Sequence, residues 1–255
     1  MTNKYVDFIS DKHLIYCISK LYYKYVKAKI NFTKNDFNKN KIDVFKMLFD
    51  KKFNNLSDEE LIDKEITRQV DRSIVNAIGT FHENILSGVK GYQKVPSGID
   101  IKSDDNKIFI ELKNKHNTVK GEDKKSIFNK LQEKIIAHPE SKAYFARILD
   151  KKSTNKQWTF SNKKKEYSDK NIFIISGDQL YKIVTGKEDS LLKLYKTLPQ
   201  AIDDFFISIS SEDKSDNIKS SAMAELNNDI KKSNRNIIDE ITFSNYNYYL
   251  GFDSL

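Results

Sequence analysis

The chain has 255 residues, 31% of them charged and 38% hydrophobic, which is enough to bury a sizeable core without disulfide or metal staples. Its 44 basic residues outnumber 36 acidic ones, a balance of +8 that favours a polyanionic partner such as nucleic acid, although 40 of the 44 are lysine in a chain also rich in Asn and Ile, a bias that base composition of the gene alone can create. The single cysteine, Cys17, excludes an intrachain disulfide and suits a reducing cytoplasm; no apolar run reaches the length of a membrane span, and "MTNKYVDFIS" lacks the build of a signal peptide.

The first predicted element is an amphipathic helix capped by Ser10, with Leu14, Ile18, Leu21 and Tyr25 on its apolar face and Cys17 as a buried thiol. A polar stretch rich in Asn and Lys follows. Ser57 and Glu60 then form a capping box for a long helix whose stripe runs through Ile62, Ile66, Val70, Ile74, Ile78, Phe81 and Ile85 and ends before Gly88. Its opposite side carries Arg72, Asn76, Gly79 and Glu83.

From Gly88 to Lys115 the period becomes alternating, and "GVKGYQKV", "GIDIKS" and "KIFIELKNK" predict three strands. A helix resumes near Asp123, burying Ile127, Phe128, Leu131, Ile135 and Ile136, until His138-Pro139 stops it. "KAYFARIL" and "NIFIIS" predict two buried strands separated by a Lys-rich loop that holds Trp158. After Gly177 come helical patterns over residues 191–206 and 218–230, joined by a polar segment, and the aromatic tail "ITFSNYNYYLGF" packs or forms an edge strand. This order predicts an α/β fold with a central mixed sheet flanked by helices, in one domain over residues 1–255 with helical N- and C-terminal additions.

A two-residue turn at Asp105-Asn106 puts Asp100 opposite Glu111 and Gly98 opposite Lys113. Ile99, Ile101, Ile108, Ile110 and Leu112 then share one face, and Asp100, Glu111 and Lys113 the other. Opposed carboxylates destabilise a sheet unless something compensates, and a hard cation such as Mg²⁺ does so without His or Cys. With Lys113 acting on an attacking water, the set suits metal-assisted phosphodiester hydrolysis. The bland alternative is a solvated sheet face on which Lys113 neutralises Glu111. Glu83 is a candidate for a further acidic group.

Pro96, Asp100 and "Glu111-Leu112-Lys113", after a Glu-bearing helix and before helix and strand, resemble the PD-(D/E)XK nuclease superfamily. More narrowly, "ELKNKHNT", "FISDKHLI" and "SGDQLYKIVTG" resemble the type II restriction endonucleases that cut GGNCC or GGWCC, over residues 5–186. Pro96 departs from the namesake motif, standing four residues before Asp100. The resemblance implies a restriction-endonuclease-like catalytic core over about residues 57–186 with an extension over about 187–255. It also implies a homodimer that uses Mg²⁺ on double-stranded DNA, with a cognate methyltransferase in the same cell. Carried over by position, Asp100, Glu111 and the Leu112 carbonyl hold metal, Lys113 acts near the water, and Glu83 matches the acidic residue of the first core helix. A structure-specific or repair nuclease and a non-catalytic DNA-binding protein are the other readings.

Lys115, His116, Asn117, Thr118 and Lys120 leave the catalytic strand and are candidates for DNA contact. Guanine is usually read by Arg or Lys; of the four arginines, Arg72 on the polar stripe is the candidate reader. The loop "DKKSTNKQW" joins cations to an aromatic in the manner of phosphate contact and stacking. The four histidines show no shared metal-ligand spacing.

Overall fold

A computed structural model describes residues 3–30, 32–116, 119–209, 221–233 and 235–246. Helices α1 (Asp11–Ile30), α2 (Lys34–Lys39), α3 (Val44–Phe53) and α4 (Asp58–Ser87) are followed by strands β1 (Tyr92–Lys94), β2 (Ile101–Ser103) and β3 (Ile108–Lys115). Then come α5 (Gly121–Ala137), β4 (Lys142–Leu149), β5 (Asn155–Gln157), β6 (Phe160–Asn162), β7 (Lys165–Tyr167) and β8 (Ile172–Ser176). Helices α6 (Gly177–Thr185), α7 (Ser190–Ser208), α8 (Ser221–Ser233) and α9 (Ile237–Tyr246) complete the order. The chain divides into two compact units, residues 1–21 with 75–211 and residues 22–74 with 212–255, and the divisions fall inside α1 and α4.

The first unit holds a six-stranded mixed sheet in the order β1-β2-β3-β4-β8-β5. β1, β2 and β3 run antiparallel, β3, β4 and β8 run parallel, and β5 closes the far edge antiparallel to β8. The edge strands are three residues long and carry lysine, which discourages pairing with another chain. On one face of the sheet, Ile127, Phe128, Leu131 and Ile135 of α5 pack with Phe109, Phe145, Ile172, Ile174 and Trp158. α6 starts against β4 so closely that a Cβ on Gly177 would lie 2.5 Å from the Ile148 carbonyl oxygen. The Ser57–Glu60 box is made, with Ser57 N–H donating to Glu60 Oε2 at 2.8 Å.

Several expectations change. Tyr25 is exposed, while Leu14, Cys17 and Ile18 are buried as predicted. The Lys-rich loop is strand β5 followed by a β6–β7 hairpin, turned by Lys163 and Lys164 at φ +48° and +64°. Trp158 is 3% exposed and lies in a ring cluster with Phe128, Phe145 and Phe160, so it is core and not a stacking surface for bases.

In the second unit, the stretch read as merely polar contains α2 and α3. Thr33 and Asp36 cap each other, and Asp43 Oδ1 accepts from Lys46 N–H at 3.0 Å. Few apolar residues suffice there, because Phe37, Val44 and Met47 enter a core with Leu61, Ile62, Ile66, Leu226 and Ile241. The start of the aromatic tail is helical: Asn236 Oδ1 accepts from Asp239 N–H at 2.9 Å, and Ile237 and Ile241 are buried at helical spacing. An edge strand is therefore ruled out up to Tyr246; the rest of the tail lies outside the described residues.

Candidate active site

Ile101 pairs with Ile110 and Lys102 with Phe109, and Asp100 N–H extends the ladder to the Ile110 carbonyl at 3.0 Å. That register is the one expected from the sequence, and it brings Asp100 beside Glu111. The turn itself differs. Asn106 N–H donates to the Ser103 carbonyl at 3.0 Å and Asn106 sits at φ +56°, so the connection spans Asp104 to Lys107. Ser103 Oγ accepts from the N–H groups of Lys107 (3.1 Å) and Ile108 (2.9 Å), and donates to Asp105 Oδ1 at 2.6 Å. Side-chain oxygens thus take over the role of backbone acceptors, and a longer loop keeps the same register.

Ile99 also departs from expectation. It joins the cluster under α5 with Phe109, not the opposite face with Ile101, because β2 begins only at Ile101 and alternation does not run back through the preceding bend. Gly98 sits in that bend at φ +90°, a conformation that favours glycine, and its nearest side chain is Lys134, not Lys113. Val95 N–H closes the bend onto the Asp100 carbonyl at 2.9 Å.

Asp100 Oδ2 accepts from the Leu112 amide at 2.6 Å, fixing one carboxylate against β3. Glu111 is 5% exposed and its Oε1 lies 2.7 Å from Lys113 Nζ. The solvated-face reading therefore fails at Glu111, whose strand neighbours Phe109 and Phe145 are core residues. Burial pushes the Glu111 pKa up, against the Lys113 hydrogen bond that opposes it, and the charge of Asp100 adds to the rise. For Lys113 burial works the other way. The hydrogen bond to Glu111 and the charges of Glu111, Asp100 and Glu83 outweigh it and hold the ammonium above its ordinary value. Three carboxylates thus converge electrostatically on one lysine.

Glu83 is held by Lys94, with Oε2 2.6 Å from Nζ, and α4 approaches the end of β3 where Gly79 faces Asn114. Among the described residues no group of three or more His, Cys, Asp or Glu side chains is placed to hold a metal. Two carboxylates and a main-chain carbonyl, with water completing the shell, are nonetheless the donor set that Mg²⁺ takes, and the buried Glu111 beside Asp100 fits a cation.

The family described as Eco47II restriction endonuclease matches the chain over residues 6–207. The chain belongs to that family. The endonuclease is 40% identical over 256 residues to the type II restriction enzyme Sau96I of Staphylococcus aureus, covering 96% of this chain and 97% of that one. It is 35% identical over 209 residues to the type II restriction enzyme Eco47II of Escherichia coli, covering 78% and 87%.

The sequence-predicted DNA contacts of the endonuclease divide. Lys115 is exposed at the end of β3, and His116 follows it with its N–H on the Leu149 carbonyl at 3.0 Å. Lys120 is exposed at the start of α5, where its side chain makes no capping bond. Asn117 and Thr118 lie outside the described residues. Arg72 is exposed on the part of α4 that belongs to the second unit.

Sequence reasoning did not single out Arg147. It pairs with Lys113 in the β3–β4 register and so shares the face of Glu111 and Lys113. The signal was a lone cation inside the apolar strand "KAYFARIL", in phase with Phe145.

Proposed function

We propose that the endonuclease hydrolyses phosphodiester bonds in both strands of double-stranded DNA, as a Mg²⁺-dependent homodimer, at a short palindrome of the GGNCC or GGWCC type. Family membership supports the reaction class, and the local resemblance around Glu111 supports the site. A cognate methyltransferase protecting the cell's own DNA belongs with such an activity, and the cytoplasm is where both act.

The observation that carries the proposal is the buried Glu111, set beside Asp100 and 2.7 Å from Lys113. Asp100, Glu111 and the Leu112 carbonyl would hold Mg²⁺. Such an ion supplies charge neutralisation at the scissile phosphate and a more acidic water. Glu111 and Asp100 bind and orient, Lys113 presents its ammonium beside charge that develops on the phosphate, and Glu83 holds Lys94 in place at the rim. Opposed carboxylates without a cation would only repel DNA, which is why a binding-only reading fits this site poorly.

The test is digestion of a plasmid of known sequence with and without Mg²⁺, by the wild type and by Glu111→Ala, with sequencing of the fragment ends. Discrete Mg²⁺-dependent fragments ending within GGNCC-type sites, absent with the variant, are expected. Uncut plasmid that is still bound would move the assignment to a DNA-binding protein.

A further inference from the structure

Beside the catalytic strand lies a cavity of about 430 Å³ that no part of the proposed reaction uses. Its lining combines His116, Lys124, Arg147 and Lys156 with a floor that includes Phe145 and Trp158. Strand register explains the convergence. Arg147 pairs with Lys113, and Lys156 on β5 pairs with Ile174, a core residue on the same side of the sheet. Neighbouring strands lie about 4.8 Å apart, so Arg147 stands one strand from the catalytic lysine.

Arg147 is held in place. One terminal nitrogen is bound to Asp150, whose side chain is 5% exposed, and its buried Nε–H has no acceptor among the described residues. Among the described residues no carboxylate lines the cavity. Val119 and Lys124, on either side of the α5 N-terminus, do line it, and that terminus has no side-chain cap at Lys120. Glu122 and Asp123 in the first turn offset part of the helix charge, and Glu122 is tied to Lys163.

We infer that this cavity seats a sugar-phosphate unit of the DNA strand next to the scissile bond, with Arg147, Lys124 and Lys156 binding the phosphodiester. This rests on the endonuclease reading above. Cations over an apolar floor suit a phosphate and the sugar that carries it, and the site is wider than a lone anion needs. Its role is positioning, because phosphate contacts fix the register of a protein on the duplex and carry no sequence information directly. Of the loop proposed from sequence for DNA contact, Lys156 keeps that role and Trp158 becomes its buried support.

The test measures binding of a short fluorescein-labelled duplex, with and without a GGNCC site, in Ca²⁺ over a series of salt concentrations. Lys124→Gln and Lys156→Gln leave the Arg147–Asp150 pair intact. Each removes one phosphate contact per protomer, two per proposed homodimer, and should lower the slope of log affinity against log salt by about 1.8, and together by about twice that. The loss should be equal for both duplexes, and Lys193→Gln on α7 should leave the slope unchanged. An unchanged slope in the cavity variants, a loss confined to the site-bearing duplex, an equal fall with Lys193→Gln, or a wild type that binds neither duplex overturns the inference.

Plasmid cleavage by the same wild-type preparation separates the two readings. Cleavage with an unchanged slope in the variants removes the cavity's role and keeps the endonuclease. The expected slope change without any cleavage keeps the cavity and removes the endonuclease.

Discussion

At the scale of single residues, Lys113 is the group most tightly tied to the proposed chemistry, since it contacts Glu111 and feels Asp100 and Glu83. Lys113→Ala should bind duplex DNA nearly as wild type does while cutting it at least about 10²-fold more slowly, the usual loss when one transition-state donor is removed. Comparable losses of binding and cutting would make the lysine a phosphate anchor instead. Asp100→Asn should raise metal-free affinity for DNA by removing one charge that repels phosphate, which a filter-binding titration in EDTA would read. These residues were legible in the sequence because the two-residue period and the placement of the charges agreed on one register. Ile99 was not, because the bend at Gly98 interrupts that period. Cys17 is a further residue-scale case: burial pushes its thiol up to about 12. It should resist a thiol reagent at pH 8 in the native protein and react fully in urea.

At the scale of elements, the close seating of α6 on β4 leaves no room for a side chain at Gly177. Gly177→Ala places a methyl group against the Ile148 backbone, which cannot swing aside as a side chain can. A loss of roughly 1–3 kcal/mol is expected, readable as a lower midpoint in a urea melt with little change in slope. The long helices and buried strands were legible from strong periodicity, whereas α2 and α3 were not, since their few buried residues serve a core assembled largely from distant helices. The β2–β3 turn was misjudged for a local reason. The Ser103 hydroxyl accepts from two backbone N–H groups, and such capture leaves no trace in an apolar pattern.

At the scale of the molecule, His82 links stability to pH. Burial holds its imidazole down to about 4 from an ordinary 6.5, and its Nδ1 is 2.9 Å from the hydroxyl of the fully buried Tyr181. The unfolded chain takes up this proton first as pH falls. The stability carried by the group is therefore whole above about 6.5 and is lost progressively toward about 4. At 1.36 kcal/mol per pH unit the full loss is on the order of 3 kcal/mol, and His82→Gln should flatten that part of a pH series of denaturant melts. The division into two units was not legible, because it falls inside α1 and α4, where no linker composition marks it. The proposed homodimer predicts sedimentation at twice the 29.7 kDa chain mass.

The position of β5 outside β8 also means that the sheet cannot be completed in the order in which its strands are made. Glu111, Lys113 and Arg147 are all synthesised before β8, yet β8 must slot between β4 and β5, and among the described residues β5 pairs with no other strand. A nascent chain that has not yet reached Ile172 therefore carries both strands of the site with the edge of β4 open and ready to pair with a neighbour. Parallel pairing across so long a separation is slow to form. Its completion closes the edge of β4 beside the residues proposed to act on DNA, before α6 to α9 have been made, and the interval before it is when that edge most needs protection.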